Sequence, residues 1–179
     1  LILEAESDER FLKLLAKQAG VVWPQNVVPW FWTGKASERQ QLYLQLLKEI
    51  PGLKAISIRD RDDEADGSVE ANLIDKAFES KQAGCTAMKW RRRHVENYLL
   101  CPSAIARAAQ KPDQDVRTFF SDKHALALPV DTAPSNVVLA VRDAHGKELF
   151  VGENSIASEF SITREAVASA MQKDEVAED

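Results

Sequence analysis

The order of short apolar blocks at the front of the chain constrains its fold more than any other feature. "LILE", "VVPWFW" and "LKAISIRD" are separated by two amphipathic stretches. Brief apolar runs rich in β-branched and aromatic residues read as buried strands. Leu1–Glu4 reads as strand one, Val27–Trp32 as strand two and Leu53–Arg59 as strand three. Pro29 inside strand two weakens its ladder. Between them, Phe11, Leu14, Leu15 and Ala19 recur at helical spacing. They predict a helix from Ser7 to about Ala19, capped by Ser7 and closed by Gly20. A second helix is predicted from Ser37 to about Glu49, capped by Ser37 and stopped before Pro51 and Gly52. Strands joined through helices must run parallel, because only a long crossover can return the chain to the same edge.

The pattern then changes. A polar loop, "DRDDEADGSVE", carries a turn at Asp66-Gly67. Ala71–Ser80 reads as a helix and Thr86–Trp90 as strand four. From Pro102 onward only helical periodicity remains, over about 102–110, 113–121, 134–144 and 162–171. The expected fold is α/β: a small parallel, Rossmann-like sheet flanked by helices over 1–100, with a helical C-terminal extension over 101–179 packed on it. A chain of 179 residues with 45% hydrophobic and 28% charged residues buries such a core without covalent staples.

Several classes are set aside by the same reading. Two cysteines, Cys85 and Cys101, make no disulfide framework and no zinc pair, and suit a reducing, cytoplasmic compartment. His94, His124 and His145 lack ligand spacing. No apolar run approaches the ~18 residues of a membrane span, and no signal peptide is visible. No G-x-x-x-x-G-K-[ST] is present, so the chain carries no phosphate-binding loop of that kind. A net charge of −5 argues against broad nucleic-acid binding through charge alone. It does not argue against a nuclease whose acidic site is neutralised by metal ions. The chain opens inside an apolar run rather than on Met, which leads us to expect the C-terminal part of a longer protein.

The chemistry concentrates where strands end. Glu4 closes strand one, and Asp60 and Asp62 follow strand three. Positions i and i+2 of an extended backbone point the same way, so the two aspartates can aim at one point. D-x-D alone is most often a solvated turn. With Glu4 at an equivalent strand end it reads as a site for a hard cation, Mg²⁺ or Mn²⁺, because ligands gather outside the carboxyl ends of parallel strands. Mutual repulsion among these carboxylates leads to the expectation that removing Glu4 leaves stability equal or higher. Asp63, Glu64 and Asp66 read as solvated loop charges. Trp23, Trp30, Trp32 and Trp90 read as core residues rather than base-stacking platforms. Glu96 reads as a structural ion pair beside a buried "YLL".

A glutamate ending the first strand followed by D-x-D ending a later one resembles the Toprim domain. "LILEAESDERFLKLL", "RRRHVENYLL" and "FSITREAVASAMQKDEVAED" resemble the Toprim domains of OLD-family (overcoming lysogenization defect) nucleases, which follow an ABC-type ATPase domain. The resemblance runs from Leu1 to near Asp179. It implies a divalent-metal-dependent endonuclease cutting DNA, a homo-oligomer serving antiviral defence. Glu4 would be the base or a metal ligand, Asp8 a further acidic ligand, and Asp60 and Asp62 the metal pair. Lys147 in "HGKEL" would stabilise phosphoryl charge, and Arg91, Arg92 and Arg93 would offer contacts to phosphate. The family usually has Gly where this chain has Ala5, which bears on the local backbone geometry. Two other readings share the fold: an effector cutting tRNA or other RNA, and a degenerate Toprim used for assembly.

Overall fold

The computed structural model describes residues 1–69, 72–75, 83–134 and 136–177, apart from the side chains of Ala36 and Asp66. Four strands, β1 (Ile2–Leu3), β2 (Trp30–Phe31), β3 (Ala55–Arg59) and β4 (Cys85–Lys89), form one sheet in the order β2-β1-β3-β4. Every pairing is parallel. The α/β architecture read from the sequence is therefore the one observed. The first two strands are shorter than predicted: β1 and β2 hold two residues each.

Two compact units share the chain: residues 1–9 with 24–91, and residues 10–23 with 92–179. Residues 92–100 thus cluster with the helical part. In the first unit, helix α1 (Glu6–Ala19) begins directly after β1, and α2 (Ala36–Glu49) links β2 to β3. Ser7 lies inside the first turn of α1 and is not its cap; the Asp8 carboxylate instead accepts the Ala5 N–H at 3.0 Å. Likewise Ser37 is a helical residue, and Lys35 holds the cap position of α2 without a side-chain bond. Gly20 does close α1 as expected. Its φ of 77° is left-handed, and Val21 N–H reaches Ala16 O at 2.8 Å.

Tyr43 of α2, 1% exposed, anchors the helix to the sheet: its hydroxyl lies 3.1 Å from both Leu53 O and Ala83 O. Gly84 makes this approach possible. Its φ is +87°, and a Cβ there would stand 2.6 Å from the Tyr43 hydroxyl. The helix expected over Ala71–Ser80 falls mostly outside the described residues. In its described part, Ile74 and Asp75 form isolated antiparallel bridges to Met88 and Val69.

The second unit is helical. After a 3-10 segment, Val95–Leu99, come α3 (Pro102–Ala109), α4 (Asp113–His124), α5 (Leu139–Arg142), α6 (Gly146–Phe150), α7 (Ile156–Phe160) and α8 (Arg164–Ala170). Its core includes Leu99, Ile105, Val116, Phe120, Ile156 and Val167, all fully buried. The helix predicted over 134–144 shrinks to the single turn of α5, because a turn closed by Val137 N–H on Pro134 O occupies its start. Helices α6 and α7 were not anticipated; five residues are too few to show a period. Among the described residues, no helix is long and apolar enough to cross a membrane.

Candidate functional site

The strand order fixes where a ligand would be sought. From β1 the chain crosses to β2 on one side, and from β2 it crosses back past β1 to β3 on the other. The connection changes direction between β1 and β3, and such switch points open a crevice at the carboxyl ends of the strands. Glu4 follows β1 and Asp60 follows β3. Ile2 pairs with Ser57, which sets Glu4 level with Arg59 and one residue short of Asp60. The expectation that strands one and three are parallel neighbours ending in carboxylates is met by this arrangement.

Glu4 is half-buried and paired. Its Oε1 accepts from Arg39 Nη2 at 3.0 Å, with the arginine side chain 3% exposed and the glutamate 28%. Burial pulls the Arg39 guanidinium below its ordinary value, and the neighbouring Glu4 carboxylate works against that pull. Ala5, where a glycine was the expectation, is not among the described residues with positive φ, so alanine fits this backbone without strain. Asp8 turns back on its own helix start, accepting from Ala5 N–H at 3.0 Å and from the Ser7 hydroxyl at 3.4 Å.

Asp60 is 6% exposed, whereas Asp62 is exposed. Their carboxylate oxygens lie within 4.8 Å of each other. The reason differs from the strand alternation first invoked. Asp62 has φ of 50°, so a left-handed turn folds its carboxylate back toward Asp60; aspartate tolerates that conformation better than most residues. Two carboxylates so placed match the hard-oxygen donor set of Mg²⁺ or Mn²⁺. Between them Arg61, 4% exposed, donates to Arg91 O at 2.9 Å and to Glu64 O, tying down the loop.

A charged network that sequence reasoning missed closes the β3–β4 end. Lys89 is fully buried and donates to Glu64 at 2.5 Å, Asp75 at 2.9 Å and the Ser68 hydroxyl at 3.1 Å. Arg59 reaches Asp75 at 2.8 Å and Glu64 at 2.5 Å. Burial pushes the Asp75 carboxyl up, but hydrogen bonds from Lys89 and Arg59 outweigh it and hold the group below the usual carboxylate range. The same balance holds Glu64 low. Glu64 is therefore part of an ion-pair network, not a solvated loop charge, while Asp63 is exposed as expected. The signal that was available is Lys89 itself, a lysine in the alternation of a buried strand.

The second unit holds the remaining candidates. Arg92 is 1% exposed; it donates to Asn97 O and Thr132 O at 3.2 and 2.6 Å and lies 4.6 Å from the Tyr98 ring centroid. Its donors serve the protein's own carbonyls rather than an exposed contact surface. Arg93 is half-buried and donates to Asp143 O at 3.4 Å, and Arg91, at the end of the first unit, is half-buried too. Lys147 is exposed on α6. Glu96, 2% exposed, pairs with Arg164 at 2.5 Å, the structural ion pair expected of it. Of the tryptophans, Trp90 is buried at 9%, whereas Trp30 and Trp32 are 43% and 42% exposed, contrary to the core role read for them. Trp30 lies on β2, an edge strand of the sheet among the described residues, and Trp32 directly follows it.

No family model matches this chain, and no curated protein or solved structure matches it significantly.

Proposed function

We propose that the chain is a divalent-metal-dependent phosphodiesterase domain of the Toprim type, cutting DNA. The observation that carries this reading is the placement of Glu4 and Asp60 after adjacent parallel strands, on either side of the switch point, with Asp62 close to Asp60. Asp60 and Asp62 would hold Mg²⁺ or Mn²⁺, which supplies Lewis-acid polarisation of a phosphate and an activated water. Glu4 stands one strand away, suited to accept a proton or to complete the ligand set. Arg59 and Lys89 both pair with Glu64, which ties the residues just after the D-x-D aspartates to the ends of β3 and β4. Arg91, at the end of the first unit, is the cationic side chain assigned to phosphate in this reading, whereas Arg92 is committed to the fold. An attached ABC-type ATPase domain, a homo-oligomeric state, a cytoplasmic setting and a part in antiviral defence go with the same proposal.

The test is nicking of supercoiled plasmid by the purified protein in Mn²⁺, with tRNA assayed in parallel. Plasmid cleavage that a chelator abolishes and Asp60→Asn removes is the expected result. Cleavage of tRNA alone would move the substrate to RNA. Neither activity, from a folded protein that binds no Mn²⁺, would overturn the enzymatic reading.

A further inference from the structure

Arg39 occupies the first turns of α2, on the crossover that carries the chain past β1 to β3. The residue is 2% exposed. Its Nε donates to Gly34 O at 3.1 Å, Nη1 to Ser57 Oγ at 3.3 Å and to Ile58 O at 2.9 Å, and Nη2 to Glu4 Oε1 at 3.0 Å. Three acceptors are neutral and belong to the frame: the turn before α2 and the last residues of β3 ahead of Asp60. Only the fourth is charged, and it is the candidate site's own glutamate.

Two features separate this arrangement from an ordinary structural ion pair. First, the pair is lopsided: the cation is enclosed and the carboxylate keeps 28% of its surface in contact with solvent. The enclosed partner is the holder and the accessible one is held. Second, a planar guanidinium grips with a rigid fork, so three fixed anchors determine where the fourth donor points. The fork therefore sets the place of Glu4 Oε1 relative to the end of β3. Stability alone gives little reason for such a group, since apolar residues of similar volume often replace buried ion pairs at no cost.

We propose that Arg39 is a positioning residue for Glu4, fixing its carboxylate against the end of β3 so that it meets a divalent cation at the carboxyl edge in one orientation. This inference rests on the metal-dependent reading given above. A partner that orients a metal-ligating side chain is worth about 10- to 100-fold in metal affinity.

The experiment is a calorimetric Mn²⁺ titration of the purified protein across a cycle: wild type, Arg39→Met, Glu4→Gln and both together, with a thermal melt for each. Arg39→Met should raise the Mn²⁺ Kd about tenfold in the wild-type background and change it little when Glu4→Gln is already present. Arg39→Lys, which keeps the charge and loses the fork, should give an intermediate Kd whose shift also vanishes in the Glu4→Gln background. If Arg39→Met does not fold, the lysine variant carries the same cycle. Equal losses in both backgrounds, or an unchanged Kd in the folded Arg39 variants, would overturn the positioning role and leave the metal reading standing. Absence of Mn²⁺ binding by the wild type would remove both.

Discussion

At the scale of single residues, the Arg39–Glu4 pair reverses one expectation. Three carboxylates at one sheet edge repel, and that argument alone makes Glu4 dispensable for stability. The structure gives Glu4 a buried cation 3.0 Å away, and deleting the carboxylate would leave that cation enclosed without its charged partner. Glu4→Ala should therefore lower stability by about 1–3 kcal/mol, discounted toward the lower figure because the glutamate is partly solvated. Urea unfolding of the two proteins measures it; an unchanged midpoint would mean the pair contributes nothing net. Asp62 poses the opposite case. It is exposed and its left-handed backbone suits glycine or asparagine as well. Asp62→Asn should leave the unfolding midpoint within about 0.5 kcal/mol of wild type while weakening Mn²⁺ binding, since an amide is a poorer ligand for a hard cation. Asp60→Asn should weaken it too, with some loss of stability because that side chain is buried. Calorimetric titration of both variants decides whether the turn binds metal at all.

At the scale of elements, one glycine governs how closely two pieces of the helical unit can approach. Gly146 begins α6, where a Cβ would stand 2.3 Å from Asn97 Oδ1 and 3.0 Å from Asn97 N. The same Asn97 donates through Nδ2 to Val141 O at 2.8 Å and Ala144 O at 2.9 Å, so it staples the α5–α6 turn to the 3-10 segment. Gly146→Ala should disturb that staple and cost about 1–3 kcal/mol, readable as a lower thermal midpoint. What was legible in the sequence divides along these lines. Alternating apolar runs and amphipathic stretches made the parallel sheet, α1, α2, α3 and α4 readable, because burial periodicity is local. The carboxylates at strand ends were readable for the same reason. Arg39 was not, since its place depends on a crossover that brings residue 39 beside residue 4. The caps were misplaced at Ser7 and Ser37, where a capping residue type sits one or two positions inside the helix and the backbone satisfies itself by other means. Trp30 and Trp32 look like core residues by type alone; only the strand order shows that their strand is an edge.

At the scale of the whole molecule, carboxylates held low by cations set an acid limit. Asp75, Glu64 and Glu175 all lie below their usual range, each first pushed up by burial and then pulled down further by hydrogen bonds from Lys89 and Arg59 or, for Glu175, from Arg107. A carboxyl whose folded value is depressed stabilises the native state fully above its unfolded value, about 3.9 to 4.3, and loses that contribution as pH falls through the folded one. Thermal midpoints should thus be flat in this respect above about pH 5 and fall below about pH 4. In Lys89→Met the acid-sensitive part of that curve should shrink. The lysine variant should also be less stable at neutral pH, because Asp75 would stay buried after losing one of its cationic partners. A parallel acid profile in the two proteins would show that the network does not set the limit.

Helix α1 starts in one compact unit and finishes in the other, and Phe11, with no exposed surface, belongs to the second. The Arg164 guanidinium lies 5.2 Å from its ring centroid, and Gln18 donates to Ser169 O at 2.8 Å. A scissor cut at residue 91 would therefore not yield two modules. The trailing fragment would miss a wall of its own core, and the leading one would carry an apolar helix end meant for elsewhere. Supplying residues 10–23 as a separate peptide should restore order to fragment 92–179, visible as a gain in helical circular dichroism beyond the sum of the parts. The helical unit thus draws one of its walls from a stretch of sequence that precedes most of the sheet.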